Sequence, residues 1–251
     1  MSGHSIPTRP KFFLDRTLAF LRTGLPAVPA TVLEVGCGQG EIAERLMHLG
    51  YDVTAIDVDR AAVAATRRRG VRAVRADLRS FGGGPFDAAV CVFSLHHLAP
   101  LSAAGTKLRS LLRPDGRLVV SDFAWEEADA PTAAYWLDTM RVLVAAGLAR
   151  PSRPLPELDC DPRTAWRDRN VRPEHQHPGR AMLRMLQIRF HVGRIERVPF
   201  FYGTLGGAVR GPRRSKLTRT LFEIERRRIA DGAIRPLGLE ILARRPAWDL
   251  N

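Results

Sequence analysis

Apolar positions in the first half of the chain switch repeatedly between strand and helix spacing. Thr31–Gly36 (TVLEVG) is a short β-branched run that predicts a strand entering a glycine turn. Glu41–Leu49 follows with Ile42, Leu46 and Leu49 at helical spacing, and Gly50 supplies the stop. Asp52–Asp57 (DVTAID) predicts a second strand, the Ala-rich Arg60–Arg69 a helix closed by Gly70, and Val71–Ala76 a third strand ending at Asp77. Asp59 is the expected N-cap of the helix at Arg60. Phe86–Phe93 (FDAAVCVF), bounded by a Gly-Gly-Gly-Pro loop, reads as a central strand buried on both faces. Leu101–Leu112 predicts a helix, Arg113-Pro-Asp-Gly116 a turn, and Arg117–Phe123 a fifth strand. Strands alternating with helices of about ten residues predict βαβ units: a doubly wound, mostly parallel sheet with helices on both faces.

The second half is less regular. Thr132–Leu148 predicts a helix with Trp136, Met140, Leu143 and Val144 on one face, and Ala181–Phe190 another. Residues 150–180, rich in Pro and Arg, read as a loop or cap-like insertion. Ile195–Tyr202 and Leu237–Ala243 read as two late strands joined by the basic segment Arg210–Asp231, which suits an antiparallel finish to the sheet. An N-terminal helix, Lys11–Thr23, precedes the first strand.

Composition narrows the class. The chain has 251 residues, 45% hydrophobic, enough for one large globular domain. No apolar run reaches transmembrane length, and the N-terminus (MSGHSIPTRPKFF) lacks the apolar stretch of a signal peptide, so no membrane partner is expected. Cys37, Cys91 and Cys160 have no paired spacing; neither a disulfide framework nor a zinc site is implied, and a reducing cytoplasm is the expected location. The net charge of +13 is uneven: residues 163–228 hold 17 basic against 5 acidic residues, a net +12. The charge therefore concerns a region outside the motifs below.

The richest motif is Glu34-Val-Gly36-Cys-Gly38-Gln-Gly40, between a strand and a helix. Glycine is needed where the chain turns sharply and where its backbone must lie against a ligand. Asp57 and Asp77 end the next two strands, at the sheet edge where such folds form a crevice. The turn reads Gly-x-Gly-x-Gly, not the dinucleotide pattern Gly-x-Gly-x-x-Gly, because Glu41 stands where the third glycine would be. Glu34 would serve a pyrophosphate poorly but suits an ammonium and a sulfonium. Asp57 is placed to accept two ribose hydroxyls, and Asp77 an adenine amino group with Leu78 over the ring. Cys37 is read as a small residue that fits the turn, not a nucleophile.

As a set, VLEVGCGQG, AIDVD, ADL, FDAAVCVFSLHHL and LLRPDGRLVVSDF over residues 32–124 resemble the class I S-adenosylmethionine-dependent methyltransferases. The resemblance implies a seven-stranded sheet with a reversed last strand. It also implies that S-adenosyl-L-methionine is held by Glu34, Gly36, Cys37, Gly38, Gly40, Asp57, Val58, Asp77, Leu78 and Phe93. The expected organisation is a single domain over 1–251. Residues 24–124 form the cofactor-binding half, 125–190 an insertion capping the acceptor side, and 191–251 the last two strands and their basic connection.

Methyl transfer needs positioning and, for a hydroxyl acceptor, a base. Ser94-Leu-His96-His97 follows strand four where the methyl group should lie, so His96 and His97 are both candidates, with no choice between them; Asp122, ending strand five, is a third. Glu174-His175-Gln-His177 has a metal-like look, but without further ligands at spacing it reads as a loop lining the acceptor pocket. Aromatic residues outside the motif set, in Lys11–Thr23 (Phe12, Phe13, Phe20), Trp125–Trp136 and Phe200–Tyr202, are core or acceptor-stacking residues. The leading reading is methylation of a small molecule. RNA methylation through the basic 163–228 segment is an alternative, although positions 94–97 lack the Pro-Pro-aromatic motif of base-flipping enzymes. A non-catalytic S-adenosylmethionine-binding protein is the third.

Overall fold

The computed structural model describes residues 9–171 and 176–247. Seven strands form one sheet: β1 (Thr31–Val35), β2 (Asp52–Asp57), β3 (Arg72–Arg75), β4 (Phe86–Val92), β5 (Leu112–Phe123), β6 (His191–Val198) and β7 (Gly238–Arg244). Their order is β3-β2-β1-β4-β5-β7-β6. β1 to β5 pair in parallel, and β7 runs antiparallel to both of its neighbours. The expected mostly parallel sheet with a reversed last strand is the one observed.

Strand alternation divides the apolar residues between two cores. Val32, Ala88, Val90 and Val119 face one core; Leu33, Val35, Ala89, Cys91, Leu118 and Val120 face the other. The first core is closed by α1 (Lys11–Gly24), α2 (Glu41–His48), α3 (Arg60–Arg68), α5 (Ala130–Ala145), α6 (Pro162–Asn170), α8 (Phe201–Ala208) and α9 (Arg214–Ala230). The second is closed by α4 (Leu101–Leu111) and α7 (Gly179–Arg189). Both faces are covered, as a parallel sheet requires. Asp59 caps α3 as expected, accepting from the Ala61 N–H at 2.8 Å.

Two elements depart from the sequence reading. Phe200–Tyr202 does not continue the late strand; Pro199 follows β6 and Phe201 opens α8. The reason lies far off in sequence. Glu225 on α9 is buried, and its carboxylate accepts the N–H groups of Phe200 (2.7 Å), Phe201 (2.9 Å) and Tyr202 (2.8 Å). It thereby supplies the partners that the first turn of a helix lacks. Within 150–180 the chain forms α6: Asp161 accepts from the Thr164 N–H at 2.8 Å and Pro162 stands at the first helical position. α6 buries Trp166 edge-on against Trp136 and Phe201, with ring centroids 5.4 and 5.0 Å apart.

The basic segment is largely a surface. Arg226, Arg227 and Arg228 of α9 are exposed, Arg226 pairing with Glu223 at 3.0 Å. Arg197 pairs with Glu127 at 2.6 Å, and Arg214 donates to the Gly206 carbonyl at 3.0 Å.

Candidate active site

Two cavities meet at the carboxyl ends of the central strands. The larger, about 530 Å³, is lined by the glycine turn and the ends of β1, β2 and β4. Glu34, Gly36, Cys37, Gly38, Asp57, Val58, Asp77, Leu78 and Phe93 all line it. Gly40 does not; it heads α2 at φ +74°, where a Cβ would sit 2.6 Å from Thr66 Oγ1. Gly36 has φ +73°, and a Cβ there would meet the Ser94 Cβ at 2.5 Å. The turn is thus set by both backbone conformation and close approach.

Asp57 ties the turn to β2. One carboxylate oxygen accepts from the Gly38 N–H and the other from the Asp59 N–H, each at 2.9 Å. A carboxylate has about four acceptor sites, so two remain for a ligand. Asp77 accepts from the Arg79 backbone N–H at 2.8 Å and pairs with its guanidinium at 2.9 Å. These bonds hold its carboxyl below the usual carboxylate range. Cys37 lies 3.3 Å from Thr66 Oγ1, and burial pushes its thiol up to about 12, so it stays neutral and inert.

Glu34 is the unusual group. It is 3% exposed, and its Oε2 has no hydrogen-bond partner. Burial raises its carboxyl to about 8, against a backbone hydrogen bond from Ala43; Asp57 raises it further and Arg9 opposes. The folded value lies above the unfolded 4.5, so the folded state loses relative stability as pH rises from about 4.5 through 8. Glu34→Gln removes that loss. In urea titrations the variant should match wild type near pH 4.5 and gain on it with rising pH, by up to roughly 5 kcal/mol at pH 9. A gap independent of pH would refute the assignment.

The smaller cavity, about 260 Å³, shares Arg9, Phe93 and His97 with the larger one. Its walls include Phe13 of α1, Phe93 after β4, Phe123 ending β5, Trp166 of α6 and Phe200 before α8. Phe123 and Phe200 stack with centroids 4.3 Å apart and planes 7° apart. Phe93 adopts φ +52°, an uncommon conformation for a bulky residue, which places strain at the seam between the cavities.

His96 lines this small cavity and is buried. Its Nδ1 lies 2.6 Å from Asp122 Oδ1; Asp122 also accepts the backbone N–H of His96 (3.2 Å) and of Phe123 (2.9 Å). Two backbone N–H groups and the imidazole Nδ1 thus converge on one carboxyl group. An Nδ1–H donor fits this set of contacts, the tautomer that leaves Nε2 as an acceptor. Asp122 lines neither cavity and stands behind the histidine. His97 is exposed and lines both cavities. Of the Glu174–His177 stretch, Glu174 and His175 lie outside the described residues. His177 donates its backbone N–H to the His96 carbonyl at 2.7 Å, which brings the end of the 150–180 segment to the site.

A seven-stranded sheet with a reversed seventh strand, a glycine turn after β1 and acidic residues ending β2 and β3 together decide the architecture. Its fold is that of the class I S-adenosylmethionine-dependent methyltransferases. Residues 33–120 match the family of the methyltransferase domain. The ubiquinone biosynthesis O-methyltransferase of Xylella fastidiosa (strain 9a5c) is 34% identical over 126 residues, 46% of this chain and 51% of that protein. The chain thus spans about half the length of the relatives it matches. An S-adenosylmethionine-dependent methyltransferase from Mesorhizobium loti superposes with a TM-score of 0.58 at 19% identity, covering 92% of this chain and all of the other. The N-methyltransferase NodS from Bradyrhizobium japonicum WM9, solved with S-adenosyl-l-homocysteine, gives 0.52 at 16% identity, covering 94% and 89%.

Beside this methyltransferase fold, sequence reasoning missed Arg9, Phe123, Trp166 and Thr204 as lining residues. Trp166 had a legible signal, since Asp161-Pro162 marks a helix start five residues earlier. Arg9 had none. Of the aromatic candidates, Phe13 and Phe200 reach the small cavity, whereas Phe12, Phe20, Trp125, Trp136, Phe201 and Tyr202 do not.

Proposed function

We propose that this protein is an S-adenosylmethionine-dependent methyltransferase acting on a hydroxyl group of a small planar molecule. The observation that carries the reading is the His96–Asp122 pair at an aromatic cavity that opens into the glycine-turn cavity. The larger cavity fits the cofactor chemically: the buried Glu34 carboxyl, whose Oε2 has no partner among the described residues, suits a cationic group, and the positive-φ glycines admit a ligand against the backbone. Glu34, Gly36, Cys37, Gly38 and Gly40 would hold its methionine end, Asp57 and Val58 the ribose, Asp77 and Leu78 the adenine, with Phe93 at the seam. When bound, the cofactor supplies an electrophilic methyl group.

The chain's own residues do the rest. The five rings of the small cavity orient a planar acceptor and exclude water. His96 Nε2 takes the proton from the acceptor hydroxyl, and Asp122 steadies the resulting imidazolium through Nδ1. In this reading residues 24–124 hold the cofactor, 125–190 cover the acceptor side and 191–251 complete the sheet. We place the activity in the cytoplasm, a reading supported by the free thiols of Cys37, Cys91 and Cys160. No helix among the described residues is long and apolar enough to cross a membrane.

Calorimetry with S-adenosylhomocysteine tests the cofactor site. Wild type should bind it, and Asp57→Ala, which also frees the Gly38 N–H, should bind about 10- to 100-fold more weakly. Absence of binding to wild type removes the reading. Labelled S-adenosylmethionine with cell extract, separated into RNA, protein and metabolite fractions, tests the acceptor: label confined to RNA would overturn a small-molecule acceptor.

A further inference from the structure

β6 ends the sheet on one side, and among the described residues its backbone is hydrogen-bonded to β7 alone. Its outer row of N–H and C=O groups therefore has no protein partner there. The strand has eight residues, none of them buried, whereas β3 at the opposite edge has only four. An edge of that length is a template for another strand unless something guards it.

Charges and bulges are the usual guards, and β6 carries both. The bulge falls between Val192 and Arg194, which leaves Arg194–Val198 in regular register with β7. Of the charges, Arg197 is engaged by Glu127 at 2.6 Å, and Arg194 pairs with Glu196 along the strand. The order Arg194-Ile195-Glu196 is self-complementary. Two antiparallel copies related by a two-fold axis set each residue opposite the one equally far beyond the axis. An axis through Arg194, Glu196 or Arg197 brings like charges together. An axis through Ile195 sets Arg194 of each copy opposite Glu196 of the other, so that four side chains alternate in sign around it. What guards the edge in other registers favours pairing in this one.

The other face of the strand agrees. Ile195 is exposed and stands opposite Ile241, on the side of the second core. α7 packs against β6 on that side, and its Ile188, three residues before the strand, is exposed as well. An axis at Ile195 covers that side chain with its own counterpart.

We propose that β6 is a dimerisation edge, pairing antiparallel with β6 of a second copy of this chain about a two-fold axis at Ile195. The two seven-stranded sheets then join into one. This inference does not depend on the methyl-transfer reading.

Sedimentation velocity of the full chain tests it. Wild type should sediment as a dimer at micromolar concentration. Arg194→Glu and Glu196→Arg should each dimerise about 10- to 100-fold more weakly, since each sets two like-charge pairs across the axis. Mixed in equal amounts, the two variants should recover a dimer of near wild-type affinity, because a strand with two acids then faces one with two arginines. An ion pair that matters only within one strand would give no such recovery. Ile195→Cys should form a disulfide-linked dimer on mild oxidation beyond any seen in wild type, because self-paired residues lie about 4.5–5.5 Å apart at Cα. A monomeric wild type overturns the inference and leaves the edge to a partner of another kind. A dimer indifferent to both charge reversals, a mixture of variants that stays monomeric, or an Ile195→Cys chain that does not cross-link overturns it too.

Discussion

A His96→Gln variant is expected to lose methyl transfer to a hydroxyl acceptor by about 10²- to 10⁴-fold, the range a positioned general base contributes. Its affinity for S-adenosylhomocysteine should be unchanged, because His96 lines the small cavity and not the larger one. The glutamine amide can hydrogen-bond but cannot take up a proton. Asp122→Asn should fall by a similar factor for a different reason. An amide at 2.6 Å from Nδ1 can present an N–H where the carboxylate accepted, turning the imidazole to the wrong tautomer. Single-turnover rates with labelled methyl groups measure both losses directly. A rate within about threefold of wild type in either would show that the pair is structural.

Glu225→Ala should destabilise the fold by about 3 kcal/mol in urea titrations. The carboxylate is the partner of three backbone N–H groups at the start of α8, and each buried donor left unmade costs roughly 1–3 kcal/mol. Relief of a buried acid offsets part of this. Burial raises the Glu225 carboxyl to about 7, against the hydrogen bonds from Phe201, Phe200 and Tyr202. With the folded value above the unfolded 4.5, the acid's contribution is fully present below about pH 4.5 and is lost as pH rises through 7. The gap between wild type and Glu225→Ala should therefore narrow over that interval. Phe200, released at its N–H, should also fit less closely on Phe123, so acceptor KM should rise before cofactor affinity changes. An alanine variant as stable as wild type would mean that water replaces the carboxylate.

The lining of the larger cavity was legible because its signals are local. A glycine turn after β1 and acids at the ends of β2 and β3 are adjacent in sequence to the elements that present them. The doubly wound, mostly parallel sheet followed from the alternation of elements, whereas the first late strand, expected at Ile195–Tyr202, lies at His191–Val198. What sequence could not reveal depends on partners distant in the chain. Phe200–Tyr202 has strand-like composition, and only Glu225, more than twenty residues later, makes it a helix start. His96 and His97 are equivalent neighbours in sequence, and only the fold brings Asp122, 26 residues on, against His96. Arg9 precedes α1 and carries no pattern of its own; only the fold brings its guanidinium within 4.8 Å of the Phe93 ring, 84 residues away.

The walls of the small cavity come from five separate stretches of chain, and only Phe93 and the two histidines fall within the stretch that matches the methyltransferase domain. Phe13, Trp166 and Phe200 line only the small cavity, outside the glycine turn and strand ends that shape the larger one. A change at any of the three resizes the small cavity and reaches the larger one only through Phe93, on which Phe13 and Phe200 pack. On the proposed function, acceptor fit and donor binding rest largely on different side chains.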